Sequence, residues 1–220
     1  MPETLIKKAQ YAFGAEDDDF FRPEAILGYL NHSQKTVATL GASMERKSQL
    51  RLDVLNDLRV VREVTVDGIV SIQENFDVSS ASLPTDMLSV IMATYRSPSV
   101  IRMTELPPDK KKMLESGYVL PTLFQFFYQI INTGSVDTPD KIIKIWGKGI
   151  TKDTDNVEVY GIVKPKELVA TDTSLQGLPD TLTNAVLYNA CVSMALQEED
   201  LNKADKFRQK FQEEIELTLH

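Results

Sequence analysis

The chain has 220 residues, 42% of them hydrophobic and 25% charged, and a net charge of −8. That length makes one ordinary domain or two small ones, and the apolar share excludes wholesale disorder. The charge argues against a groove that grips nucleic acid by neutralising phosphates, though not against a surface that DNA merely passes.

The elements come in the order helices, strands, helices. Apolar residues at 5, 6, 9, 12 and 13 predict a short amphipathic helix from Leu5 to Phe13, ended by Gly14. The acidic run "EDDD" (Glu16 to Asp19) follows, and Pro23 opens a second helix. Its stripe is Ile26, Leu30, Val37 and Leu40, with Gly41 expected to close it. A third helix is predicted from about Arg46 to Val61, carrying Leu50, Val54, Leu55, Leu58 and Val61 on one face.

The hydrophobic period then changes from 3.6 to 2. "REVTVDGIVSI" reads as strand, turn at Asp67-Gly68, strand. "LPTDMLSVIMATYR" is a turn and then a strand over Leu88 to Tyr95, and "SVIRMTEL" is another strand beyond the Ser97-Pro98 turn. "PPDKKKMLES" is a polar short helix or loop. "PTLFQFFYQII" is an aromatic-rich strand, buried in the core or, as a second reading, at an interface. "DKIIKIWG" and "VEVYGIV" are expected to form a last hairpin across "KGITKDTDN", ended at Lys164-Pro165. Beyond Pro179 the chain reads as helical, with a stripe at Ala190, Met194, Leu201, Ala204, Phe207, Phe211 and Ile215. "QEEDLN" is either a turn between two helices or a solvated face. The expected fold is α+β: helices at 1–61 and 179–220 packed together, and a β-rich, sandwich- or barrel-like insert at 62–178.

Residues with chemistry are few. There are two histidines and one cysteine, which leaves almost no material for a zinc site or a Cys/His nucleophile pair. His32 reads as a structural or surface residue. Cys191 reads as a buried structural thiol, excludes an internal disulfide, and fits a reducing compartment. "GKGIT" (Gly147 to Thr151) lacks the earlier glycine of a phosphate loop and precedes a strand, so a hairpin end is the better reading. "DTDNVE" (Asp153 to Glu158) has Val157 where a calcium loop needs an oxygen ligand. "EDDD" fits the positive N-terminal end of a helix better than a metal. No catalytic, cofactor or metal residue is selected. The chain shows no run of about 18 apolar residues, hence no membrane-spanning helix, and no secretory signal.

The last helix raises its own question. Its stripe runs on through Phe207, Phe211, Ile215, Leu217 and Leu219, where chain ends are usually polar and frayed. An uncovered apolar end is a binding site or a liability. Helix-in-groove docking uses such i, i+4 anchors. The segment from about Phe207 onward is therefore expected to meet another protein.

Four phrases, taken in order, resemble the head–tail connector family of tailed bacteriophages, the adaptor ring below the portal. "FFRPEAILGYLNHSQKTVA", with Leu30 and Asn31, looks like its early helix. "SLPTDMLSVIMATY" is similar to the opening of its β region. "VEVYGIVKPKELVATDTSLQGLPDTLTNAVLYNACVSMALQ" resembles its strand, proline, Leu-Pro and small-residue helix. "EEDLNKADKFRQKFQEEIE" looks like its closing helix. The resemblance implies a structural protein of the virion, assembled in the host cytoplasm and placed at the head–tail interface. It implies a homo-oligomeric ring of about twelve subunits between the portal protein and the tail or a second ring protein. DNA would pass without specific binding, with no enzyme activity and no cofactor. Glu198, Glu199 and Asp200 are the candidate acidic lining of the lumen. The chain lacks the extended arm of the longest adaptors, which leaves docking by the terminal helix itself. A stopper or tail-completion protein is the alternative within the virion, and a soluble enzyme or regulatory binder the alternative outside it.

Overall fold

A computed structural model of the chain describes residues 3–15, 21–46, 58–64, 66, 68–73, 76–96, 99–116, 121–122, 125–133, 141–150 and 157–219. The fold is α+β, with helices toward both ends and β-sheets in the middle. It divides into two compact units, Met1–Arg59 with Ile162–His220, and Val60–Gly161.

The first unit is helical. Helix α1 (Leu5–Phe13) is capped by the Thr4 hydroxyl, which accepts from the Lys7 amide at 3.4 Å, and Gly14 closes it in the left-handed conformation. Helix α2 (Pro23–Arg46) does not stop at Gly41 as its glycine suggests. The glycine serves packing instead: a Cβ there would meet Leu58 Cδ1 at 3.3 Å. Most of the expected third helix lies outside the described residues, and Val61 belongs to a strand. The described residues also form helix α3 (Pro108–Glu115) and nine strands, described below. Helix α4 (Thr183–Gln197), entered by a 3-10 turn at Asp180–Leu182, buries residues on every side: Ala185, Val186, Leu187, Ala190, Cys191, Val192, Met194 and Ala195. A helix apolar all round is a central helix, and α4 packs against α1, α2 and helix α5 (Leu201–Leu219). The alanines keep these axes close. Ser33 on α2 donates to the Val186 carbonyl at 2.6 Å, so its hydroxyl is satisfied inside the core.

A strap from Lys164 to Leu178, which sequence periodicity leaves blank, lies along α2. The Asn31 side chain accepts from the Leu168 amide at 2.7 Å and donates to its carbonyl at 3.3 Å. One turn later Gln34 donates to the Lys166 carbonyl at 2.7 Å and accepts from the Gln176 amide at 3.2 Å. Two amide side chains thus do what a neighbouring strand would do. Leu168 and Leu175 anchor the strap in the core, and the Leu5 amide donates to Asp172 from the other side.

The second unit holds two sheets. The strands are β1 (Val60–Val64), β2 (Gly68–Gln73), β3 (Phe76–Ser82), β4 (Met87–Arg96), β5 (Val100–Arg102), β6 (Thr104–Glu105), β7 (Phe127–Asn132), β8 (Lys141–Gly147) and β9 (Val157–Val163). One sheet has the order β1-β9-β4-β5, the other β2-β3-β8-β7-β6. Both expected hairpins are overturned. β1 pairs with β9 and β2 with β3, so the chain changes sheets between Val64 and Gly68 instead of folding back. β8 pairs with β3 and β7, not with β9. "SVIRMTEL" splits likewise: β5 joins β4, while β6 lies parallel to β7. A period of two reports that a strand has two faces and says nothing of its neighbour.

Phe126 stacks on Tyr95 with centroids 4.4 Å apart, which makes the aromatic run a core element as first read. Its strand begins only at Phe127. Trp146, Val78, Leu106 and Leu114 form a second apolar cluster, through which α3 is anchored. Glu63 and Glu158 stand opposite each other in the β1–β9 register. Like charges so placed repel. Arg96 on β4 lies between them, paired with buried Glu158 and 3.7 Å from Glu63.

Candidate docking surface

Helix α5 splits its stripe between the protein's own core and the outside. Phe207 is buried and stacks on Phe13, centroids 5.8 Å apart and planes 19° off parallel. Phe13 meets Phe21 edge-on at 5.3 Å and carries the Lys203 ammonium 3.4 Å above its ring. Phe207 is therefore engaged internally. Phe211 and Ile215, one and two turns further, are only half-buried. With Leu40 and Met44 of α2, and Gln212 and Glu216 at the rim, they line a groove of about 470 Å3. Leu217 is 72% exposed. The Leu219 side chain lies outside the described residues, as do His220 and "EDDD".

The charge order of α5 opposes its macrodipole. Carboxylates gather at Glu213, Glu214 and Glu216, near the C-terminal end, and the last turn has no basic residue. Lys203, Lys206, Arg208 and Lys210 sit earlier. Acidic side chains at a helix C-terminus are unfavourable by a few tenths to about 1 kcal/mol each. Folding this helix gains nothing from that arrangement, and one of these carboxylates, Glu216, stands at the groove's rim.

Along α2 the groove continues into a shallow surface formed by His32, Lys35, Thr36, Thr39 and Leu40. Thr36 and Thr39 donate their hydroxyls to the carbonyls of His32 and Lys35, at 3.0 and 2.8 Å. That leaves their methyl groups as the outward surface. Lys35 is drawn aside to Glu167 at 3.0 Å. This contact holds the exposed Glu167 carboxyl below the usual carboxylate range, chiefly through the hydrogen bond from Lys35. A surface that reads as polar is thus largely methyl and methylene. Met44 and Gln34 were missed by pattern reading, and Asn31 entered only through the family resemblance. The i, i+3 spacing of the two amides on α2 was the available signal.

The three acidic residues proposed for a lumen form the turn between α4 and α5. Glu198 pairs with Lys203 at 3.3 Å, and Asp200 caps α5 by accepting from the Lys203 amide at 2.9 Å. Glu199 is exposed and has φ 59°.

The motifs that pointed to chemistry are absorbed by structure. Gly149 (φ 78°) and Ile150 donate their amides to the Asp77 carboxylate at 2.9 and 3.1 Å. Consecutive amides converging on an anion are what a phosphate loop offers, and in "GKGIT" the anion is the chain's own. Within "DTDNVE", Val157 and Glu158 are strand residues and the remainder lies outside the described residues. Cys191 is buried, its thiol donates to the Ala9 carbonyl at 3.9 Å, and burial pushes its pKa up to about 12. Among the described residues, no group of three or more His, Cys, Asp or Glu stands close enough to hold a metal ion. Among them too, no helix is long and apolar enough to cross a membrane.

What the geometry offers is a surface for protein: a largely apolar groove on the helical unit with Glu216 at its rim. A family model described as SU10 adaptor protein matches residues 4–219, and the chain belongs to that family. It is a family of phage structural adaptors, so the chain is a virion component that meets other virion proteins. No curated protein matches the chain.

Proposed function

We propose that the chain forms the adaptor ring between portal and tail, about twelve subunits around the path of the DNA. Family membership across nearly the whole chain carries this reading. The half-buried Phe211 and Ile215 and the exposed Leu217 support it, because apolar side chains left uncovered at one end of a helix mark an interaction site. In this reading the end of α5 contacts the portal or an adjacent subunit, and the β-rich residues form an inserted domain. The lumen wall is acidic or mixed, in keeping with the net charge of −8, and Glu199 and its neighbours are its candidates. A wall rich in Lys and Arg would hold phosphates with salt-dependent affinity and slow the DNA. Imaging of purified particles tests the whole. The expected result is density for this chain in a closed ring on the portal vertex. Absence of the chain from mature particles would remove the reading, and a continuous Lys/Arg lining would remove its lumen part.

A further inference from the structure

The trough between α2 and α5 already shows what it accepts. Toward the start of α5 its apolar stripe is covered by the end of α1, a short amphipathic helix, with Phe13 stacked on Phe207. One turn further down α5, Phe211 and Ile215 repeat the same four-residue spacing opposite Leu40 and Met44, and there the trough is an open groove of about 470 Å3. Its rim carries one carboxylate, Glu216, beside Gln212. A fitting occupant presents one large apolar side chain with a cation beside it on a helix face.

The described residues of this unit expose five large apolar side chains: Tyr11, Val169, Leu196, Leu201 and Leu217. Leu217 has Glu213 and Glu214 on its own helix face, Leu201 has Asp205, and Leu196 stands beside Glu199 and Asp200. Val169 stands by Asp172, whose carboxylate accepts from its amide at 2.8 Å. Tyr11 alone has a lysine one turn away on its own face, Lys7, which is exposed. Tyrosine, 48% exposed here, is also the residue type that most often anchors interfaces.

We propose that Tyr11 of one copy inserts into the Leu40/Met44/Phe211/Ile215 groove of a second copy, with Lys7 against Glu216 at its rim. The two surfaces differ, so the contact is head-to-tail and propagates around a ring. The inference rests on the ring reading above but names the contact that builds the ring.

The test uses particles carrying the chain with Tyr11→Cys and Ile215→Cys together, and mixed particles carrying each substitution on separate chains. Native Cys191 stays in place, since its thiol is buried. Mild oxidation is expected to link the doubly substituted chains into a ladder above the dimer. The mixture is expected to give dimers containing one chain of each kind. Chains present in particles but unlinked, or linked only as closed dimers, would overturn this contact and leave the ring reading standing. Chains missing from wild-type particles would remove the ring reading itself. As a check on charge, Lys7→Glu is expected to abolish the ladder and Lys7→Glu with Glu216→Lys to restore it. A ladder unchanged by Lys7→Glu would overturn the pairing.

Discussion

At the scale of single residues, two groups give clear expectations. Cys191 is neutral in the folded chain because burial raises its pKa from 9.0 to about 12. A raised folded pKa means the contribution is complete below the unfolded value and lost as pH climbs between the two. Wild type is therefore expected to lose up to about 1.4 kcal/mol per pH unit above about pH 9 that Cys191→Ala does not lose. Urea titrations of both chains from pH 7 to 11 measure the difference, and parallel curves would show that burial of the thiol carries no such cost. Arg96 is the second case. Its partner Glu158 is buried and also accepts from the Tyr160 hydroxyl at 3.0 Å and from Thr94 at 3.4 Å. Removing one member of a buried pair costs about 3–5 kcal/mol. Arg96 is 44% exposed, so solvent screening lowers the figure for Arg96→Met to about 2 kcal/mol. The double change Arg96→Met with Glu158→Leu is expected to recover most of that loss. An equal loss in single and double variants, by equilibrium denaturation, would show that the carboxylate is not what makes Arg96 matter.

At the scale of elements, the α4–α5 turn puts opposite expectations on adjacent residues. The Glu199 and Asp200 amides donate to the Leu196 and Ala195 carbonyls, a helix ending that places Glu199 in the left-handed region where glycine is usual. Glu199→Gly is expected to stabilise by up to about 1 kcal/mol, whereas Asp200→Ala removes a cap and costs about 1 kcal/mol. Thermal melts of the two variants moving in the same direction would contradict this account. The strap is a second test. Asn31→Ala leaves the Leu168 backbone without its partner and is expected to cost about 2 kcal/mol, with faster hydrogen exchange at the Leu168 amide. These two features also mark what was legible in the sequence. The span of α1, the start of α2 and the stripe of α5 were, because Gly14, Pro23 and the apolar periods of α1 and α5 are local signals. Pairing was not: β8 and β9 are separated by nine residues yet lie in different sheets, and β3, "FDVSSAS", is a central strand built of small polar residues with little β-propensity. The strap was invisible because its partners are side chains on a helix, and no period records them.

At the scale of the whole molecule, the question is whether the end of α5 serves folding or assembly. The fully buried residues of α5, Ala204 and Phe207, lie before it. Phe207 closes the aromatic cluster with Phe13 and Phe21, and α4 packs against α1, α2 and α5. Beyond Phe211, the described residues contribute half-buried Ile215, a 3.4 Å hydrogen bond from Asn184 to Glu214, and Leu217, which is exposed. Losing one half-buried aliphatic side chain costs about 1–2 kcal/mol. That is a fraction of the 5–15 kcal/mol typical of a folded protein. Deleting residues 212–220 is therefore expected to leave a cooperatively folding chain with a slightly lower Tm, and to remove that chain from purified particles. Ile215→Asp keeps the full helix and is expected to give the same assembly defect with less effect on Tm, which separates a lost docking surface from a shortened helix. Truncated chain that unfolds outright would place the segment in the fold. Truncated chain recovered in particles at wild-type amounts would show that no partner needs the end of α5.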